Sequence, residues 1–100
     1  MKQPKLVRDR IPEIIKAEGR APKTRIANDA EYYDFLVKKL DEEVAEFKQQ
    51  RNAEELHDIL EVLHAIANHN NISAADLEQK RKQKAEERGS FKKKIILEDW

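Results

Sequence analysis

With 100 residues, 40% of them charged and only 2 glycines, the chain is sized for one small domain, 1–100, and favours solvated helices over a sheet-rich fold. Formal net charge is zero, and the lack of cysteine excludes a disulfide framework and any thiolate metal site, so a reducing, cytoplasmic setting fits. Lys2, Lys5, Arg8 and Arg10 crowd the first ten residues without an apolar stretch after them, and no apolar run exceeds three residues, so neither export nor membrane insertion is expected.

Four helical segments follow one another along the chain, and no repeat, low-complexity tract or interdomain linker interrupts them. The first is short: Pro12 suits an early helical position, Ile14 and Ile15 follow, and Gly19 with Pro22 stops it. A second spans about Asp29 to Gln50, with Asn28 or Asp29 as N-cap and Tyr33, Leu36, Val37, Leu40, Val44 and Phe47 at helical spacing. Asn52 caps a third, which carries Leu56, Ile59, Leu60, Leu63, Ile66 and Ala67 and ends near the "NHNN" run. Ser73 caps a fourth, "SAADLEQKRKQKAEERG", which Gly89 closes. The tail "FKKKIIL" reads as a short strand, with "KTRIA" (23–27) as its candidate partner. The expected fold is mainly α: a small helical bundle of about four helices around a central antiparallel pair, with a minor β pairing near the C-terminus.

Charge is unevenly spread. Residues 29–61 hold 11 acidic against 4 basic side chains, a net of −7, whereas 80–94 hold 8 basic against 2 acidic, a net of +6. Such a chain can hold cations in one place and anions in another. At about 100° per residue, Glu43 falls inside the apolar arc of the second helix and Glu46 at its edge, while Glu42 points further out. On the third helix Glu55 and Asp58 both fall on the apolar side, and Glu54 and Glu61 face solvent. In an antiparallel hairpin turning near residue 50 or 51, Glu46 faces Glu55 and Glu43 faces Asp58. Two rungs of carboxylates held that close and partly desolvated must take up protons or bind cations. Anionic oxygen ligands select Mg²⁺ or Mn²⁺ over softer metals. The plainer alternative is that Glu55, three after Asn52, is the acidic member of a capping box.

The "ExxE" of Glu43 and Glu46 followed by the "ExxD" of Glu55 and Asp58 resembles the all-α nucleoside triphosphate pyrophosphohydrolases, the superfamily of MazG, the dimeric dUTPases and phosphoribosyl-ATP pyrophosphohydrolase. Within it, "KLVRDRIPEII" (5–15) and "KAEERGSFKKKIIL" (84–97) are similar to the ends of a small MazG-like subgroup. The resemblance implies Mg²⁺ or Mn²⁺ at Glu43, Glu46, Glu55 and Asp58, with Glu46 or Glu43 as general base. It implies Lys84, Arg88 and Lys94 on the phosphate chain, with Lys5, Arg8 and Asp9 supporting or lining the site. The implied chemistry is hydrolysis of a nucleoside triphosphate to monophosphate and pyrophosphate, in nucleotide-pool house-cleaning, by a homodimer or larger homo-oligomer. Phosphoribosyl-ATP is the alternative substrate within the superfamily.

Two departures from the family pattern stand out. Only eight residues separate Glu46 from Glu55, fewer than is usual between the two motifs, and Asp58 with Glu61 is the alternative second pair. Lys94 stands where arginine is expected, which replaces a bidentate phosphate fork by a point charge. His57, His64 and His69 form no HExxH, so zinc is not expected. The "KRKQK" and "FKKK" runs are broken by Glu86 and Glu87 and offer only Phe91 for stacking, which argues against nucleic acid as a partner. A non-catalytic helical module that binds nucleic acid or scaffolds other proteins is the competing class.

Overall fold

The computed structural model describes residues 2–100. Four helices follow in chain order: α1 (Ile11–Ala17), α2 (Asp29–Gln50), α3 (Ala53–His69) and α4 (Ala74–Arg88). Each boundary has a local cause. Pro12 sits in the first turn of α1 and supplies a preset φ without sacrificing a needed N–H, and Gly19, at φ +84°, takes the left-handed conformation that lets the chain turn away. The side-chain oxygens of Asn28, Asn52 and Ser73 accept from the backbone N–H groups of Glu31, Glu55 and Asp76 at 2.9, 3.0 and 3.0 Å, which satisfies one otherwise orphaned donor at the start of α2, α3 and α4. Of the two N-cap candidates for α2, Asn28 is the one used.

Arg51, at φ +52°, reverses the chain between α2 and α3, and Asn52 begins the next helix at once. This tight turn makes α2 and α3 an antiparallel hairpin, the principal helix pairing of the molecule. Leu36, Val62 and Ala67 are its buried apolar residues. Helix α4 packs against α3, whereas α1 and the extended chain before it stand across a groove from the hairpin rather than in close backbone contact with it. The connection from α1 to α2 is tied down by Arg25, whose guanidinium donates to both oxygens of Glu31 at 2.6 and 2.7 Å.

The expected β pairing does not form: no strand occurs among the described residues, 23–27 and 91–97 included. Phe91, Ile95, Ile96 and Leu97 are exposed, as is Ile26. Two isolated strands gain too little without a sheet or a helix to cover one face, and residues 86–100 are all exposed. The molecule is correspondingly open. Its radius of gyration is 17.5 Å, against about 13 Å for a compact chain of this length. None of the helices is long and apolar enough to cross a membrane.

Candidate metal centre

The hairpin brings acids from both helices to one point. Carboxylate oxygens of Glu43, from α2, and of Glu55 and Asp58, from α3, lie within 4.8 Å of one another. Glu43 and Glu55 are buried at 6% and 8% exposure, the only buried charged residues among those described, and Asp58 is half-buried. Their position follows from the local fold. Glu43 is one helical turn beyond Lys39 and two beyond Leu36, on the face that meets α3, and Asn52 fixes the start of α3 so that Glu55 turns inward at its first turn.

The polar atoms of the cluster are incompletely satisfied. Glu43 Oε1 faces Lys39 Nζ at 3.4 Å, while Glu43 Oε2 is buried with no hydrogen-bond partner. Glu55 Oε2 is likewise buried and unpartnered. Glu55 therefore does not close back on its cap: its backbone N–H bonds to Asn52, and its side chain goes to the cluster. Asp58 Oδ1 accepts from Arg8 Nη2 at 2.8 Å, so the chain before α1 is fastened to the rim of the site. Loss of water on burial pushes the Glu43 carboxyl above its usual range, and the Glu46 charge raises it further against the pull of Lys39. Burial also raises Glu55, with the carboxylates of Glu46, Asp58 and Glu43 adding to it.

The predicted four divide three and one. Glu43, Glu55 and Asp58 form the tight set, and Glu46 stands beside it, half-buried and near enough to hydrogen-bond Glu55. Glu61, the alternative partner of Asp58, is exposed but lines the same groove. The groove has a volume of about 470 Å³ and runs between the 6–14 segment and the hairpin, with Arg8, Asp9 and Lys39 on its walls. Lys5 lies outside it, in a smaller cleft of about 270 Å³ with Phe35, Lys38 and Glu42. Lys84, Arg88 and Lys94 line neither cavity. His57 and His64 are exposed and stand outside the acid cluster, and His69 stacks on Tyr33 with ring centroids 4.9 Å apart. Lys39, only 18% exposed and paired with both Glu42 and Glu43, is a site residue that the carboxylate pattern did not single out. The four-residue spacing of Lys39 and Glu43 on one helix face was the available signal.

Two buried, unpartnered carboxylate oxygens are costly unless protonated or bound to a cation. The donor set suits a hard divalent ion, being all oxygen and anionic.

A relative from Mycolicibacterium smegmatis (strain ATCC 700084 / mc(2)155), described as an uncharacterized protein, is 60% identical over 43 residues, which is 43% of this chain and 44% of that one. The match thus spans less than half the length of the relative. No family profile matches the chain, and no solved structure does.

Proposed function

We propose that the chain is a Mg²⁺- or Mn²⁺-dependent nucleoside triphosphate pyrophosphohydrolase of the MazG-like kind. The observation that carries this reading is the pair of buried, unpartnered oxygens on Glu43 and Glu55, inside a three-carboxylate cluster that opens onto a groove. Glu43, Glu55 and Asp58 would hold the ion, with Glu46 at its margin. When bound, the ion supplies charge neutralisation for the phosphates and a lowered pKa for a coordinated water. The protein supplies the rest. Arg8 and Lys39 flank the acids and can pair with phosphate oxygens that the metal leaves uncompensated. Glu46, partly exposed beside Glu55, is the carboxylate left to accept the proton from the attacking water. A new bond forms from water oxygen to the α-phosphorus, the bond from that phosphorus to the bridging oxygen breaks, and pyrophosphate leaves with the negative charge. Lys84, Arg88 and Lys94 belong to this reading only if another copy of the chain carries them to the groove.

Self-association is part of the proposal. Leu56, Leu60 and Leu63 form a stripe at helical spacing on α3, 51%, 50% and 39% exposed, and Val37 on α2 is 42% exposed. A second copy covering that face would complete a core that is too small in one chain.

The decisive test is pyrophosphate release from a panel of canonical, deoxy- and base-modified triphosphates, with phosphoribosyl-ATP among them, in Mg²⁺ and in Mn²⁺. Release that is lost in Glu43→Gln supports the reading; no release from any substrate refutes it. A module acting on nucleic acid through residues 80–94 would instead bind DNA or RNA with steep salt dependence and be indifferent to Glu43→Gln.

A further inference from the structure

We propose that the groove between the N-terminal segment and the α2–α3 hairpin is a nucleoside-binding pocket whose far end, formed by Tyr32, Ile14 and Ala65, receives an aromatic base. This deepens the preceding reading, on which it rests for the position of the phosphates. At about 470 Å³ the groove lies within the roughly 300–1,000 Å³ typical of small-molecule sites, and its character changes along its length. Along the hairpin wall the charged side chains of Glu43, Lys39, Asp58 and Glu61 give way to Leu36, Val62, Tyr32 and Ala65, while the facing segment lines the groove with Arg8, Asp9 and Arg10 as well as Ile11 and Ile14. Tyr32 and Glu43 are eleven residues apart on one helix, which separates the two ends by about 16 Å at about 1.5 Å per residue. An extended nucleotide spans that length, and pyrophosphate alone does not.

Three features make the Tyr32 end a receptor for a flat ring. Leu36, at 2% exposure, provides a packed floor. Ile14 lines the groove from α1 and remains 51% exposed. Tyr32 is braced by His69, whose ring meets it edge-on with centroids 5.7 Å apart, so that its orientation is held before a ligand arrives. A base inserted between Ile14 and Tyr32 would remove apolar surface from water on both sides while its phosphates reached the acidic end.

The test is a heteronuclear NMR titration of the full chain, in Mg²⁺, with adenosine, guanosine, cytidine and uridine monophosphates and, separately, with inorganic pyrophosphate. At least one nucleotide is expected to shift the amides of Ile14, Tyr32 and Ala65, and pyrophosphate to shift only those near Glu43, Glu55 and Asp58. Tyr32→Ala and Ile14→Asp should each weaken nucleotide binding about tenfold or more, with the Mn²⁺ dissociation constant, read by water relaxation, within about twofold of the parent value as evidence of an intact fold. Identical shift patterns for nucleotides and pyrophosphate, or unchanged nucleotide affinity in both variants, would overturn the proposal. Nucleotide binding at Tyr32 without pyrophosphate release from any triphosphate would keep the pocket and discard the pyrophosphohydrolase reading; release without shifts at Tyr32 would do the reverse.

Discussion

Glu55 shows how one side chain can be pulled between two roles. At the first turn of α3 a glutamate three residues after an asparagine cap would ordinarily return a hydrogen bond to the cap, but here one carboxylate oxygen is buried with no partner. Its carboxyl and that of Glu43 are both raised, first by burial and then by each other's neighbours. A raised carboxyl means that the folded, metal-free chain holds protons the unfolded chain has released. The associated stability is therefore complete below the ordinary glutamate value near 4.3 and is lost as pH rises through the raised folded values. In chelator, the melting temperature should fall over that window. Glu55→Gln should melt a few degrees above the parent at pH 7, with the gap closing toward pH 4, and should lose the Mg²⁺ increment; a pH series of thermal melts checks all three. Arg8 offers the opposite test. Its bond to Asp58 joins side chains 54% and 34% exposed, and such pairs contribute only about 0 to 1 kcal/mol. Arg8→Ala is thus expected to leave the melting temperature nearly unchanged while lowering kcat/KM for pyrophosphate release at least tenfold.

At the scale of the elements, the turn between α2 and α3 sets the site, because it alone fixes which face of one helix meets which face of the other. Two residues make it: Arg51 in the left-handed region and Asn52 as cap. Asn52→Ala should cost about 1 kcal/mol of stability, read by urea denaturation, and Asn52→Ser or Asn52→Asp should restore most of it. Because the cap orients the first turn that carries Glu55, Asn52→Ala should also weaken Mn²⁺ binding, an effect a purely structural cap would lack. Arg51→Gly should act with the opposite sign, stabilising by up to about 1 kcal/mol, since glycine adopts a positive φ without the clash of a Cβ.

For the whole molecule, a radius of gyration well above that of a compact chain, a core of three buried apolar residues and an exposed leucine stripe on α3 leave much apolar surface in water. Light scattering should therefore give a mass of at least twice 11.8 kDa, and Leu60→Glu should reduce it to a single chain. Millimolar Mg²⁺ should raise the melting temperature by mass action on the folded state, and Glu46→Gln combined with Asp58→Asn should abolish the rise. A scaffold with no metal site would melt at the same temperature with or without the ion.

Helix boundaries were legible in the residues because their causes are local: Asn28, Asn52, Ser73, Pro12 and Gly89 act within one turn of where they stand. The inward placement of Glu43 and Glu55 was legible for a related reason, since helical periodicity and a short hairpin together define a face. Tertiary structure alone decided the rest. Glu46 stands beside the tight carboxylate set because the crossing of two helices, which no periodicity encodes, determines which rung closes. The tail forms no strand, because pairing depends on a distant neighbour arriving, and the fold brings none. The groove under Arg8, Ile14 and Tyr32 exists because α1 stands off the hairpin, a matter of packing between segments rather than of the residues within any one of them.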